Sequence, residues 1–283
     1  MQNSISCVIP AYNEATRICN VLKAIKDYPR FMEIIVVNDG SKDKTSEVVK
    51  NFIRTNNVKH IKLIDLVKNS GKTNAVKVGV EASKGTITVL LDADLSGLTH
   101  NHLDRLIDPV LKGEYGLTIL DRPTDRRSII GWTGLTRLYG GERAFYREEF
   151  LQIEIDNSAG YSLETIMNMH YLKKGIKVRT VFAKDLETAT HIKKDGLIKG
   201  TKLYLRMFWD IYKRTKIRNF YIQASDIEDD HLEELYKLYE KVKRKQLIRG
   251  FMFSAVLIAG VSIFLTLNVK NLYKKVRDIT KKS

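Results

Sequence analysis

The chain has 283 residues, of which 43% are hydrophobic, with 4 prolines and 17 glycines. This composition is typical of a chain that buries a core, and it excludes a disordered chain, a collagen and a disulfide-rich mini-protein. The formal net charge of +15 is uneven, because residues 1–190 contain 27 Lys/Arg against 23 Asp/Glu and residues 191–283 contain 21 against 10.

The first half of the chain alternates short apolar runs with amphipathic stretches. The runs predict strands at residues 5–9, 33–38, 60–66 and 86–91, and helical spacing of apolar residues predicts helices at 16–25, 45–53 and 73–82. A further strand is predicted at 117–120. Strands that alternate with helices predict an α/β fold, with a mostly parallel sheet and helices on both faces.

A polar motif follows each of the first four predicted strands. The motifs are Pro10-Ala11-Tyr12-Asn13-Glu14, Asn38-Asp39-Gly40-Ser41-Lys42-Asp43, Asn69-Ser70-Gly71-Lys72 and Asp92-Ala93-Asp94. Ligands of parallel sheets bind beyond the carboxyl ends of the strands, so we expect these motifs to meet at one edge.

Two carboxylates, Asp92 and Asp94, follow a buried strand with one residue between them. Carboxylate oxygens are ligands that a hard divalent cation prefers, and such a cation would bridge this edge to the oxygens of a diphosphate. A helix cap or a loop ion pair is the alternative interpretation.

The basic last third contains three further segments. Residues 197–221 interleave basic and aromatic side chains, which indicates an in-plane membrane helix; a helix packed on the preceding domain is the alternative. Residues 226–247 begin with acids and end with bases, as a helix dipole favours. Residues 251–267 carry no charge and have basic clusters on both sides, which predicts one transmembrane helix; a buried core helix or an in-plane hairpin is the alternative.

The four motifs at the strand ends, taken together, resemble those of family 2 glycosyltransferases of the GT-A fold. The resemblance covers roughly residues 4–206. The likeness includes polyprenyl-phosphate sugar synthases and glucosyl-phosphoglycerate synthases. Their acceptor-side motifs resemble Gly140-Gly141-Glu142-Arg143-Ala144-Phe145 and Gly160-Tyr161-Ser162-Leu163-Glu164. The resemblance implies a Rossmann-like GT-A sheet and a nucleotide-sugar donor.

The resemblance also implies donor-binding residues. They are Pro10, Tyr12, Glu14 and Asp39 around the nucleoside, Lys72 facing a phosphate, and Asp92, Ala93 and Asp94 at the ribose and the metal. The metal is Mg²⁺ or Mn²⁺, and Asp94 is its expected direct ligand. Glu14 is expected to open a helix. Packing alone for Tyr12, a turn role for Asp39 before Gly40 and a solvated Lys72 are the alternatives.

Three further positions are implied by the resemblance. His191 resembles the histidine that is a metal ligand late in the sequences of GT-A enzymes; an exposed histidine in a basic loop is the alternative. Lys193 and Lys194 resemble residues that contact a substrate phosphate. Arg122 would meet the phosphate of either substrate, unless it pairs with a neighbouring aspartate.

Glu164 is the candidate catalytic base, acting together with Asp94, if the acceptor is a hydroxyl. If the acceptor is a lipid phosphate, the nucleophile is already an anion and Glu164 would orient groups. An ion pair between Glu164 and Arg143 is the alternative.

We expect four segments: a catalytic domain at 1–190, basic membrane-interface helices at 191–249, a transmembrane helix at 250–269 and a basic tail at 270–283. The beginning of the sequence has no basic segment before a long apolar run, and Cys7 and Cys19 lack metal-type spacing. We therefore expect no signal peptide and a catalytic domain in the reducing cytoplasm.

The sequence thus predicts a metal-dependent, inverting glycosyltransferase that acts on a membrane lipid, preferably polyprenyl phosphate, at the cytoplasmic face of an anionic membrane. The alternatives for the acceptor are another lipid, a lipid-linked saccharide and a soluble phosphorylated compound. A basic nucleic-acid-binding module is the alternative from a different class, and it rests on charge alone.

Overall fold

A mixed sheet organises the fold. The computed structural model of the chain describes residues 3–121, 140–155, 163–183, 186–188 and 227–229. The strands in these ranges are β1 (Ile5–Ala11), β2 (Phe31–Asn38), β3 (Ile61–Asp65), β4 (Ile87–Leu90), β5 (Leu95–Ser96), β6 (Leu117–Asp121), β7 (Arg143–Tyr146), β8 (Val178–Phe182), β9 (Glu187–Thr188) and β10 (Glu228–Asp229).

The main sheet has the strand order β10-β8-β6-β7-β4-β1-β2-β3, and β5 pairs separately with β9. In the main sheet β7 runs antiparallel to both of its neighbours, β4 and β6, and the remaining pairs are parallel. The predicted mostly parallel sheet is therefore confirmed, with one reversed strand near its middle.

Helices cover both faces of this sheet. They are α1 (Ile18–Ile25), α2 (Thr45–Asn56), α3 (Lys72–Ala82), α4 (His100–Leu111), α5 (Arg147–Leu151) and α6 (Leu163–Lys173). Buried side chains of α1, α2 and α4 form one core with the sheet, and those of α3, α5 and α6 form a second core on the opposite face. Alternation along the strands supplies both cores, since Cys7 and Ile9 enter the first and Val8 enters the second.

The predicted elements of the first half are all present, with shifted ends. β1 continues to Ala11, because its ladder with β2 runs on to the pair of Ala11 and Asn38. The prediction that Glu14 opens a helix is wrong. The amides of Arg17 and Ile18 both donate to the carbonyl of Glu14, which closes a turn, and α1 begins only at Ile18.

The prediction of a helix from residue 226 is also wrong at its start. Ile227 is buried in the second core, on the α6 face of the sheet, and Glu228 and Asp229 pair with Arg179 and Thr180 of β8. This ladder requires an extended backbone. The sheet therefore takes a strand from beyond the expected domain boundary at residue 190.

Within the described ranges, no helix is long and apolar enough to cross a membrane. The span predicted at 251–267 and the amphipathic segment predicted at 197–221 both lie outside these ranges.

Candidate active site

The motifs predicted from the sequence meet at one edge of the sheet. Strands β1 to β4 are parallel, so their carboxyl ends, at Ala11, Asn38, Asp65 and Leu90, lie along the same edge. Because β7 is antiparallel to β4, the pairing of Leu90 with Arg143 brings the start of β7 to this edge as well. The loops at these positions form a common surface.

Asp92 and Asp94 lie in the turn after β4. The apolar residues that alternate with them, Leu91, Ala93 and Leu95, are buried, whereas both aspartates are partly exposed. Buried apolar anchors thus hold this turn on the core and leave the carboxylates at the sheet edge. Helix α4 begins further along the chain and has its own capping box, so the acidic pair does not cap it.

Lys72, the first residue of α3, joins two carboxylates. Its Nζ lies 2.8 Å from Oδ1 of Asp92 and 3.3 Å from Oε1 of Glu164. Burial alone would lower the pKa of Lys72, but the charges of Asp92 and Glu164 outweigh it and raise this pKa above its ordinary value. Since 39% of the side chain is exposed, solvent screens both ion pairs. The ammonium is therefore charged and links the two carboxylates.

The loop before β7 packs against the acidic pair. A Cβ at Gly141 would lie 2.6 Å from Oδ2 of Asp92, so the carboxylate rests against a residue that has no side chain. Glu142, the next residue, is fully buried. This close approach couples the position of the loop to that of Asp92.

Arg143 is fully buried at the start of β7. Its Nε donates to the carbonyl of Gly140 at 2.8 Å, and its Nη1 donates to Oδ1 of Asn168 at 2.6 Å. Burial lowers the pKa of Arg143 to about 10, against the opposing charges of Glu164 and Glu142. The guanidinium is therefore still cationic at neutral pH.

Four residues predicted for the site line one cleft, namely Pro10, Lys72, Asp92 and Glu164. Apolar side chains, including Val76, Leu163 and Met167, line the same cleft. Residues predicted for the donor and the residue predicted for the acceptor therefore line the same small cleft.

Asp39 is buried below this edge, with 2% exposure. Its Oδ1 accepts from the amide of Ser70 at 2.9 Å, and its Oδ2 accepts from the amide of Gly71 at 2.8 Å. Gly71 has a φ of 91°, which favours glycine, and it directly precedes α3. Asp39 therefore holds the loop that leads into Lys72, and its predicted contact with a nucleoside stays a prediction.

The loops after β1 and β2 are tied to one another. The amide of Asn13 donates to Oγ of Ser41, and the amide of Lys42 donates to Oδ1 of Asn13, both at 2.9 Å. The amide of Glu14 donates to Oγ1 of Thr45 at 2.9 Å. These bonds make one connected rim beside the acidic turn.

Tyr12 and Glu14 stand on this rim. Tyr12 is 39% exposed, so it is accessible for stacking. Oε2 of Glu14 accepts from Nη1 of Arg17 at 2.5 Å. Neither residue lines the cleft that contains Lys72 and Glu164.

Comparison with known proteins decides the family. Residues 6–169, more than half of the chain, match the sequence model of the family described as glycosyl transferase family 2. The chain belongs to glycosyl transferase family 2. The predicted resemblance is confirmed, and the edge described above lies almost entirely within the matched residues.

Relatives of this glycosyltransferase include enzymes named for a lipid phosphate. A dolichyl-phosphate β-glucosyltransferase of Dictyostelium discoideum is 33% identical in an alignment of 126 positions that covers 40% of this chain and 38% of that protein. The glycosyltransferase AglD of Haloferax volcanii is 28% identical in an alignment of 244 positions that covers 75% of this chain and 38% of that protein. The chain therefore spans well under half the length of these relatives.

Solved structures confirm the GT-A fold of this family 2 glycosyltransferase. Glucosyl-3-phosphoglycerate synthase of Mycobacterium tuberculosis, in complex with Mn²⁺, UDP-glucose and phosphoglyceric acid, superimposes with a TM-score of 0.60 at 21% identity. The match covers 75% of this chain and 79% of that one. At this identity the likeness establishes the fold alone.

The donor atoms of the acidic turn fit a hard divalent cation. Asp92 and Asp94 present carboxylate oxygens at the solvent-accessible edge, the ligand type that Mg²⁺ and Mn²⁺ prefer. Among the described residues, no group of three or more His, Cys, Asp or Glu side chains is arranged to hold a metal ion. Two protein carboxylates suit a cation that takes its other ligands from a diphosphate.

Several predicted positions lie outside the described residues, namely Arg122, His191, Lys193 and Lys194, together with residues 160–162 of the second acceptor-side motif. Their roles stay predictions.

Two contacts of the site were missed in the sequence. Nothing in the spacing of Lys72 and Glu164, 92 positions apart, indicates an ion pair. The bond between Arg143 and Asn168 had a weak signal, because Asn168 lies four residues after Glu164 on a helix and shares its face.

Proposed function

We propose that this family 2 glycosyltransferase moves a hexose from a nucleotide-sugar donor to a membrane lipid, preferably polyprenyl phosphate, with a divalent cation. One observation carries the proposal. Lys72 contacts both Asp92, on the predicted donor side, and Glu164, on the predicted acceptor side, within one cleft. Groups for both substrates of a transfer reaction thus lie within reach of each other.

Asp94 and Asp92 would hold Mg²⁺ or Mn²⁺, with His191 as a further ligand. When bound, the cation neutralises the charge that develops on the departing nucleoside diphosphate. The proposed donor contacts are Pro10, Tyr12, Glu14 and Asp39 for the nucleoside, Asp92 and Ala93 for the ribose, and Lys72, Arg122 and Lys193 for the phosphates.

The proposed reaction is a single in-line displacement with inversion. The acceptor oxygen forms a bond to the anomeric carbon as the bond from that carbon to the diphosphate oxygen breaks, and the nucleoside diphosphate leaves with the electron pair. A hydroxyl acceptor would give its proton to Glu164. A phosphate acceptor is already an anion and gives up no proton, so Glu164 would then orient the site through Lys72.

The choice of a lipid phosphate has two supports. Relatives from Dictyostelium discoideum and Homo sapiens are named dolichyl-phosphate β-glucosyltransferases, and dolichyl phosphate is a polyprenyl phosphate. The last third of this chain also has the excess of bases that an anionic membrane surface attracts.

The same proposal assigns membrane attachment to the last third. Residues 250–269 would span the bilayer once, residues 191–226 and 230–249 would contribute basic interface helices on either side of the chain around β10, and residues 270–283 a basic tail. The apolar run at 251–267 with bases on both sides supports this arrangement. The catalytic domain would then lie at the cytoplasmic face.

The full chain, purified in detergent, tests the function when it receives labelled nucleotide sugars, Mn²⁺ or Mg²⁺, and polyprenyl phosphate. We expect label in the lipid fraction, lost by at least about 100-fold in Asp94→Ala. Asp27→Ala removes an exposed carboxylate far from the cleft and serves as the control that keeps activity.

Parallel reactions with a lipid-linked saccharide and with phosphoglycerate distinguish the acceptors. Donor hydrolysis without any lipid product contradicts the lipid-phosphate proposal. Label in phosphoglycerate alone moves the acceptor to the soluble class.

Truncation after Gly250 tests the anchor. We expect most of the shortened protein to leave the membrane fraction. Any shortened protein that remains bound should be released by high salt. Salt-resistant membrane binding of the truncated protein contradicts a main anchor at 251–267.

A further inference from the structure

The fully buried Arg143 lies in the wall of the cleft, and the fully buried Asn168 contacts it. The sequence motif around Arg143 suggests the acceptor side of the site, yet the guanidinium has no exposed surface and points two of its donors into the protein. Breaking a buried, charge-assisted hydrogen bond leaves an uncompensated group, so these contacts strongly constrain the backbone around them.

One of these bonds fixes the loop at residues 140–142. Nε of Arg143 donates to the carbonyl of Gly140 at 2.8 Å, which folds the loop back on the start of β7. Gly141 then rests against the carboxylate of Asp92, at a separation that leaves no room for a Cβ. A shift of the loop would therefore shift Asp92.

The other bond fixes α6. Nη1 of Arg143 donates to Oδ1 of Asn168 at 2.6 Å, and Asn168 lies one turn after Glu164 on the same helix face. A shift of α6 against β7 would therefore shift Glu164. Lys72 contacts Asp92 and Glu164 together, so it requires both to be in place.

We propose that Arg143 and Asn168 are positioning residues that hold the donor-side carboxylate Asp92 and the acceptor-side carboxylate Glu164 at a fixed separation. The roles of the two carboxylates rest on the proposed function. Arg143 acts through the Gly141 backbone on one side and through α6 on the other, because its Nε and Nη1 both donate to protein groups.

Three variants of the full chain test this. Asn168→Leu removes the acceptor oxygen at similar volume, Asn168→Asp keeps an acceptor for Arg143, and Ser6→Ala removes a fully buried hydroxyl hydrogen bond at the opposite sheet edge. Transfer kinetics and backbone hydrogen exchange at residues 140–142 are measured at temperatures where each variant is fully folded.

For Asn168→Leu we expect kcat to fall about 10-fold or more, KM for the donor to change less than about 3-fold, and exchange at 140–142 to rise about 10-fold. Asn168→Asp should keep kcat within about 3-fold of the unmodified chain. Ser6→Ala should keep both kcat and exchange at 140–142 unchanged.

Equal kcat for Asn168→Leu and Ser6→Ala, or equal loss in Asn168→Leu and Asn168→Asp, overturns the proposal. If the unmodified chain transfers no sugar, the proposed function fails, and hydrogen exchange still decides the positioning role. Unchanged exchange at 140–142 in Asn168→Leu overturns it, and increased exchange reversed by Asn168→Asp supports it.

Discussion

The two edges of the parallel half of the sheet both bury charge, but they do so differently. At the amino edge Glu33 is 2% exposed and accepts from Oγ of Ser6 at 2.8 Å, Nζ of Lys62 at 2.7 Å and the amide of Lys84 at 2.7 Å. One carboxylate thus has three donors. This arrangement connects β1, β2, β3 and the start of β4, and it has the properties of a structural centre.

At the carboxyl edge the balance is reversed. In the described cluster around Lys72, carboxylates outnumber cations: Asp92, Asp94, Glu142 and Glu164 against Lys72 and Arg143. Part of the cluster is open to solvent, with 23% of the Asp92 side chain and 39% of the Lys72 side chain exposed. Excess negative charge beside a cleft attracts cations, so this edge suits the cation of the proposed function, whereas the single carboxylate of the amino edge already has three donors.

Removal of the cation at the carboxyl edge should have the largest effect. In Lys72→Met we expect kcat to fall about 100- to 1000-fold, or about 3–4 kcal/mol of activation free energy, because Asp92 and Glu164 lose the charge that links them. The free energy of unfolding should change by about 1 kcal/mol or less, because solvent screens the pairs. Steady-state kinetics and urea unfolding measure the two effects.

Lys72→Arg is the matched control, because it keeps the charge and should recover most of the lost activity. A Lys72→Met protein that is strongly destabilised but fully active when folded would show that the contact is structural.

Removal of charge at the amino edge should have the opposite outcome. In Glu33→Gln we expect the free energy of unfolding to fall by about 2–3 kcal/mol, because the one oxygen of glutamine cannot accept from both Lys62 and the amide of Lys84, and the negative charge is lost as well. The kcat of the folded variant should be unchanged. Glu81→Gln, at an exposed helix position, is the control and should change stability by about 0.5 kcal/mol or less.

The sequence is sufficient to predict those features that are encoded locally. Short apolar runs alternate along the chain with segments whose apolar residues have helical spacing. This pattern predicts the parallel strands β1 to β4 and helices on both faces of the sheet. Asp92 and Asp94 are neighbours in the chain directly after a strand, so their position at the sheet edge follows from connectivity.

Features that depend on distant residues could not be predicted in this way. The reversed direction of β7 brings Arg143 beside Leu90, and the bond to Asn168 comes from a different element. The charge order of residues 226–247 favours a helix, but burial of Ile227 and pairing with β8 make its beginning a strand. Tertiary contacts override local patterns at these points.

The same substitution, glycine to alanine, can be made at both edges of the sheet, at Gly85 and at Gly141. A Cβ at Gly85 would lie 2.6 Å from the backbone nitrogen of Ser6, and a Cβ at Gly141 would lie 2.6 Å from Oδ2 of Asp92. Backbone at the amino edge cannot yield without cost, so Gly85→Ala should lose about 1–2 kcal/mol of stability and no activity. A side-chain carboxylate yields more easily, so Gly141→Ala should lose about 10-fold in kcat and little stability.

Thermal unfolding and transfer kinetics of the two alanine variants decide this comparison. Equal stability losses together with equal activities would mean that the two edges do not differ in function.

The smallest expected effect is on the acid dependence of stability. Burial would raise the pKa of Glu33, but hydrogen bonds from Lys62, Lys84 and Ser6 outweigh it and hold this pKa below its ordinary value. A lowered pKa in the folded state contributes stability that is complete above the unfolded pKa, near 4.5, and is lost as the pH falls through the folded pKa. Glu33→Gln has no such titration. Urea unfolding between pH 3 and 6 should therefore show the difference in stability between the two proteins shrinking on acidification, by up to about 1.4 kcal/mol per pH unit. Other carboxylates with lowered pKa values are common to both proteins and cancel in the difference, so parallel curves would contradict the assignment of this charge to the amino edge.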